Sequence, residues 1–134
     1  MADRADILRV IYKSVEHRAP FDLAQFEQAM QDWDVLPLHE HGELIGGVLA
    51  KGNELHVGYA RQPRATIRPY IRAILGKALE EHGVVLTSVQ AENIVGQRFC
   101  ERLGFVKIGE EGGTIRLRCD RSTRSEEHTS ELQS

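Results

Sequence analysis

Two side chains that move protons stand two residues apart in an alternating stretch. Along Glu54-Leu55-His56-Val57-Gly58-Tyr59, strand geometry puts Glu54, His56 and Gly58 on one face and Leu55, Val57 and Tyr59 on the other. A base on such a face could take a proton from an ammonium group, freeing the amine to attack a carbonyl. Histidine as a residue type titrates nearer neutrality than a carboxylate, which needs burial to rise into that range. A solvated turn glutamate and a hydrogen-bonded strand histidine are the plainer readings of the same pair. Farther along stands Cys100. A thiol ionises at about 8.5 in reference peptides and could hand over a proton, although cysteine is also a routine small apolar helix residue.

A second constellation is electrostatic. Between Arg61 and Lys77 the chain carries Arg61, Arg64, Arg68, Arg72 and Lys77 without one acidic residue. On a helix Arg64, Arg68 and Arg72 share a face. That face is either solvated or holds phosphate groups. Nucleic acid lacks support, since no interleaved aromatics or nucleic-acid motif accompany the arginines. His39 and His41 flank a turn with no third ligand spaced to join them, so no metal site is expected. No Ser-His-Asp order, Walker loop or dinucleotide fingerprint is present.

These residues need a scaffold, and the composition supplies one. The chain has 134 residues, 41% hydrophobic and 28% charged, with a formal charge of -3. That is the composition of an ordinary globular domain. No apolar run reaches the ~20 residues of a membrane helix. The two cysteines, Cys100 and Cys119, are too few and too far apart for a disulfide scaffold or metal knuckle. A cytoplasmic, reducing setting is expected. Residues 124–134, Arg-Ser-Glu-Glu-His-Thr-Ser-Glu-Leu-Gln-Ser, lack apolar periodicity and resemble the in-frame translation of a short-read sequencing adaptor. One Arg and three Glu there account for two of the three net negative charges, so the rest is nearly neutral. The expected organisation is one domain over residues 1–120 and a disordered tail over 121–134.

The periodicity predicts alternating helices and strands. Ile7, Leu8, Val10, Ile11 and Val15 mark an amphipathic helix from Asp3 to about Glu16. Asp22 caps a second, running to about Trp33 with Leu23, Phe26, Met30 and Trp33 on one stripe. Strands are expected at Val35 to Glu40, Glu43 to Ala50 and Glu54 to Ala60, turning at His41-Gly42 and Gly52-Asn53. A third helix has Ile67, Ile71, Ile74, Leu75, Ala78 and Leu79 on one face and ends at Gly83. Val84 to Val89 is apolar enough to be a central strand. A helix from Asn93 to Leu103 stops at Gly104. Strands at Phe105 to Ile108 and Thr114 to Cys119 close the chain as a hairpin about Glu110 to Gly113.

The order is ααβββαβαββ, an α/β class with a mixed α+β sheet. Within it Asn93-Ile-Val-Gly96-Gln-Arg-Phe99-Cys100-Glu101-Arg102-Leu103-Gly104-Phe105 resembles the C-terminal signature of the GNAT N-acetyltransferases. That signature runs Asn, a small residue three on, an apolar residue, Tyr, Glu, a basic residue and Leu-Gly-Phe; here Cys100 holds the Tyr position. The resemblance covers about Trp33 to Asp120. Gly52-Asn-Glu-Leu-His56 is also similar to GNAT-like proteins of bacteriophages.

The resemblance implies a fold with splayed central strands and acetyl-CoA as co-substrate, with no metal. Its pantetheine would hydrogen-bond in the fork between the third and fourth strands. Asn93, just past the fourth, would orient it or simply cap its own helix. The diphosphate would lie on Gln62-Pro63-Arg64-Ala65-Thr66-Ile67, with Arg68, at a helix N-terminus. Neither of the family's glycines stands there; Ala65 and Ile67 replace them. His56 or Glu54 would be the base, and Cys100 the acid for the leaving thiolate. The implied function is transfer of an acetyl group to a small-molecule or peptide amine by direct attack in a ternary complex. The alternative is a catalytically inactive GNAT-like phage structural or accessory module. GNAT domains often pair through their sheets, which leaves a homodimer open.

Overall fold

Each of the first two helices starts where a side chain accepts from its free amides. In this computed structural model, which describes residues 3–17, 19–61, 63 and 67–123, α1 (Arg4–Lys13) opens at Asp3, whose carboxylate accepts from the Asp6 N–H at 2.9 Å. α2 (Leu23–Ala29) opens with a capping box: Asp22 accepts from the Gln25 N–H, and Gln25 Oε1 from the Asp22 N–H, both at 2.8 Å. Neither helix runs as far as its periodicity suggests. Ser14 turns its hydroxyl back onto the Ile11 carbonyl at 2.6 Å just past Lys13, so α1 stops short of Glu16. α2 stops at Ala29: Met30 leaves helical geometry, and the Arg4 guanidinium donates to the Met30 and Trp33 carbonyls.

β1 (Asp34–Glu40), β2 (Glu43–Lys51) and β3 (Glu54–Tyr59) follow, then α3 (Arg68–His82), β4 (Val84–Gln90), α4 (Ile94–Leu103), β5 (Val106–Glu111) and β6 (Thr114–Asp120). This is the expected ααβββαβαββ order. Two hairpins turn on residue pairs with positive φ, His41-Gly42 at 54° and 81° and Gly112-Gly113 at 57° and 79°. Such turns match the twist of the strands they join. Because the second turn needs only the two glycines, β5 continues to Glu111 instead of ending near Ile108.

The strands form one mixed sheet in the order β1-β2-β3-β4-β6-β5, which makes β4 interior as its apolar character predicts. β1 and β2 are antiparallel from Asp34↔Ala50 to Glu40↔Glu43. β4 and β6 are antiparallel from Val84↔Asp120 to Gln90↔Thr114, and β5 is antiparallel to β6.

The chain makes two compact units. The first holds α1, α2, β1, β2 and β3 from Leu55 onward. Its helices bury Ile7, Leu8, Ile11 and Phe26 with Leu49, and Tyr12, Leu23, Met30 and Trp33 line that cluster. Gly47 permits the close approach: an added Cβ would meet Ile7 Cγ2 at 2.5 Å and Ile11 Cδ1 at 2.9 Å. The second holds the strand start Gly52–Glu54 and everything from α3 onward. There Ile71, Leu75 and Leu79 of α3, Val85 of β4, Leu103, Phe105, and Ile115, Leu117 and Cys119 of β6 are buried. Each such Leu or Ile contributes about 1.5–3 kcal/mol of transfer free energy.

Candidate active site

In the second unit, β4 has one edge fully paired and the other barely paired. β3 and β4 run parallel and share a single registered pair, Glu54↔Leu86, with the Leu86 N–H donating to the Asn53 carbonyl at 2.8 Å. Alternation turns the Ser88 N–H and C=O toward the same edge as those of Leu86. Among the described residues no strand partner is registered for them, while β6 lines the opposite edge throughout. An extended ligand can take such main-chain groups as an added strand would.

Just past that edge α4 begins. The Asn93 carboxamide oxygen accepts from the Gly96 N–H at 2.9 Å, so the helix cap is its described role. A Cβ on Gly96 would meet Asn93 Nδ2 at 2.5 Å, which explains the small residue three places on. Gln97 Nε2 donates to the Ala91 carbonyl at 2.8 Å and ties the preceding turn down. At the other end Phe105 N–H reaches Cys100 C=O and Gly104 N–H reaches Glu101 C=O, each at 3.0 Å. With Gly104 at φ 104° this is a complete Schellman motif. Leu103 and Phe105 are buried beside it.

Cys100 lies within α4, one turn before that cap. Burial pushes its thiol up from 9.0 to about 12, with the Glu101 charge adding to the effect. It is a proton-holding, packed group.

His56 belongs to the first unit and is half-buried on β3. Its ring tilts against Trp33 at 5.6 Å between centroids, and the Lys51 ammonium sits 6.0 Å from the same indole. Gly58, on the same strand face, comes within van der Waals reach of α1: an added Cβ would meet Ile11 Cγ2 at 3.0 Å. Glu54 belongs to the second unit, half-buried at the one β3–β4 pair. No sequence period links a helix exit to a later strand, so the contact of Trp33 with His56 has no signal in the residue order.

The basic run divides. The Arg61 guanidinium donates to Glu40 at 2.7 Å and to Glu43 at 2.7 and 3.2 Å. Those bonds, Glu43 first and then Glu40, hold Arg61 above its usual pKa. Glu40 is the one charged side chain buried among the described residues, at 5% exposure, and pairing is what such a group requires. Arg72 donates to the Arg102 carbonyl at the end of α4 at 3.2 Å. Arg68 is the first residue of α3 and Ile67, half-buried, stands immediately before it. Gln62, Arg64, Ala65 and Thr66 lie outside the described residues, as does the 124–134 segment. The commitment of Arg61 to carboxylates had one legible signal: two residues after the inward Leu38, Glu40 takes the inward side of β1.

No family model and no curated protein matches the sequence. Solved structures do. A ribosomal-protein-alanine N-acetyltransferase from Brucella melitensis superimposes with a TM-score of 0.65 at 18% identity, over 89% of this chain and 96% of that one. A spermidine N-acetyltransferase mutant from Vibrio cholerae gives 0.68 at 18% identity, over 92% and 95%. An acetyltransferase from Bacillus subtilis in complex with CoA gives 0.64 at 9% identity, over 90% and 94%. The chain therefore has the GNAT fold, over nearly its whole length. No helix among the described residues is long and apolar enough to cross a membrane.

Proposed function

We propose that the chain is an acetyl-CoA-dependent N-acetyltransferase that passes the acetyl group to an amine by direct attack in a ternary complex. The observation that carries this reading is the β4 edge, whose Ser88 main-chain groups have no strand partner among the described residues in a fold shared with a CoA-bound acetyltransferase. An amide-bearing pantetheine arm fits that edge as a strand does. Arg68 and the Gln62 to Ile67 segment before it would take the diphosphate, with Arg61 excluded by its two carboxylates. Asn93 serves by fixing the start of α4.

Bound acetyl-CoA would supply the activated acyl group; the chain's part is positioning and proton transfer. His56 is the preferred base, half-buried on β3 with its ring tilted against Trp33; Glu54 is the second candidate. Cys100 suits the acid role poorly. Moving a proton from a thiol near 12 to a thiolate whose acid form ionises at about 8.5 runs uphill by about 5 kcal/mol.

Calorimetric titration with acetyl-CoA, together with thiol release in the presence of amines, tests the proposal. Saturable binding and amine-dependent release are expected, with His56→Ala lowering kcat at least about a hundredfold. No binding at millimolar acetyl-CoA would overturn it.

A further inference from the structure

The two faces of the β4-β6-β5 sheet differ in kind. One carries Val85, Leu117, Ile115 and Cys119, buried among the core residues of the second unit. The other carries Ser88 and Gln90 of β4, with Val84 and Leu86 half-buried at its start, and Thr114, Arg116, Arg118 and Asp120 of β6, because cross-strand partners share a face. Gly109 is the β5 partner of Arg116 and brings no side chain over it. Arg116 is exposed, and among the described residues it takes part in no ion pair. Arg118, its side chain 49% exposed, has among the described residues only the 3.6 Å approach of Asp120 as an ion pair. Glu111, beside Thr114 at the hairpin end, and Glu54, registered to Leu86 in the row of Arg118, are the other acids on this face. Ser88 and Gln90 are half-buried on this face, and Arg116, exposed, is the cross-strand neighbour of Ser88.

We infer that Arg116, with Arg118 behind it, selects an acceptor that carries a carboxylate, so the amine substrate is an acidic amino compound or acidic peptide rather than a polyamine. This rests on the transferase reading. An amine attacking an acyl group held at the β4 edge must come within about 3–3.5 Å of it. Ser88 and Arg116, as paired positions, have Cβ atoms about 4.5–5.5 Å apart. The rest of such an acceptor therefore lies within reach of the Arg116 guanidinium. A guanidinium pairs with a carboxylate in bidentate fashion and repels an ammonium.

The test uses tetraglutamate with a free N-terminus and spermidine as acceptors, each with acetyl-CoA. Wild-type protein should favour tetraglutamate in kcat/KM. Arg116→Glu should lower that value about tenfold through KM, leaving kcat and the acetyl-CoA KM in place, and Arg116→Lys should recover most of it. Lys107→Glu, on the opposite face of the same hairpin, should change neither. Preference for spermidine, or an Arg116→Glu variant indistinguishable from wild type, overturns the inference. Calorimetry with tetraglutamate alone separates this from the function itself. If acetyl-CoA does not bind, the transferase reading fails, and a tenfold weaker tetraglutamate titration in Arg116→Glu still supports the carboxylate site. Undetectable tetraglutamate binding, or tighter binding of a short DNA duplex, overturns it.

Discussion

The α4 segment and the exit of β3 hold their polar groups in opposite ways. From Asn93 to Phe105 the partners are local: the cap reaches three residues on, and the Schellman bonds reach three and five residues back. At the β3 exit the partners are distant: Arg61 bonds carboxylates 18 and 21 residues earlier. The lesson is that the stretch most like a family signature is accounted for by helix-end chemistry. The chemistry of transfer has to come from residues with weaker signatures, at the β4 edge and before α3.

The strongest way to break that contrast is to raise the pH. The Cys100 thiol is held protonated in the folded chain up to about 12, against 9.0 for the free group. Its contribution is fully present below pH 9 and is lost as pH rises toward 12, because only the unfolded chain ionises in that window. The expected loss is about 1.4 kcal/mol per pH unit, up to about 4 kcal/mol. Denaturant melts should show a shallower slope in Cys100→Ala; equal slopes would place the thiol in water.

Next is the cofactor end of α3. Arg68→Glu should raise the acetyl-CoA Kd about a hundredfold, roughly 2.7 kcal/mol. Unchanged calorimetric affinity would move the diphosphate elsewhere. Asn93→Ala sharpens the comparison from the other side. Loss of the cap should cost about 1 kcal/mol of stability with little change in acetyl-CoA KM, and Asn93→Asp should retain both. A large KM effect would restore a direct role in binding.

A double-mutant cycle isolates the cap further. Gly96→Ala alone should destabilise, since the new Cβ displaces the Asn93 side chain. In the Asn93→Ala background it should instead stabilise by about 0.5–1 kcal/mol, through helix propensity. Additive melts would refute the coupling. The smallest effect is expected at Arg61. Arg61→Met should lower the melting temperature and raise acetyl-CoA KM about threefold, with partial recovery in Arg61→Lys. An unaltered melting curve would mean that Glu40 finds another partner.

Much of this was legible in residue order. Asp22, Asn93 and Gly104 announce helix ends because capping depends on neighbours within one turn, and all three stand where the helices start or stop. Apolar periodicity overruns the helices toward Glu16 and Trp33, where side chains or distant groups take the last carbonyls. The candidate site was read in pieces. Alternation singles out His56 and Glu54, yet nothing local shows that the Trp33 ring tilts against His56.

What the sequence alone determined is the set and order of elements and the ends marked by a cap or a glycine turn, since period, caps and glycine turns act over a few residues and need no partner from afar. Only tertiary structure decided the rest. Sheet pairing exposed the Ser88 edge, buried Glu40 and so claimed Arg61, and left Arg116 uncovered opposite Gly109. Charge and burial are properties of surroundings, and the surroundings of these side chains are built by residues far away in the chain.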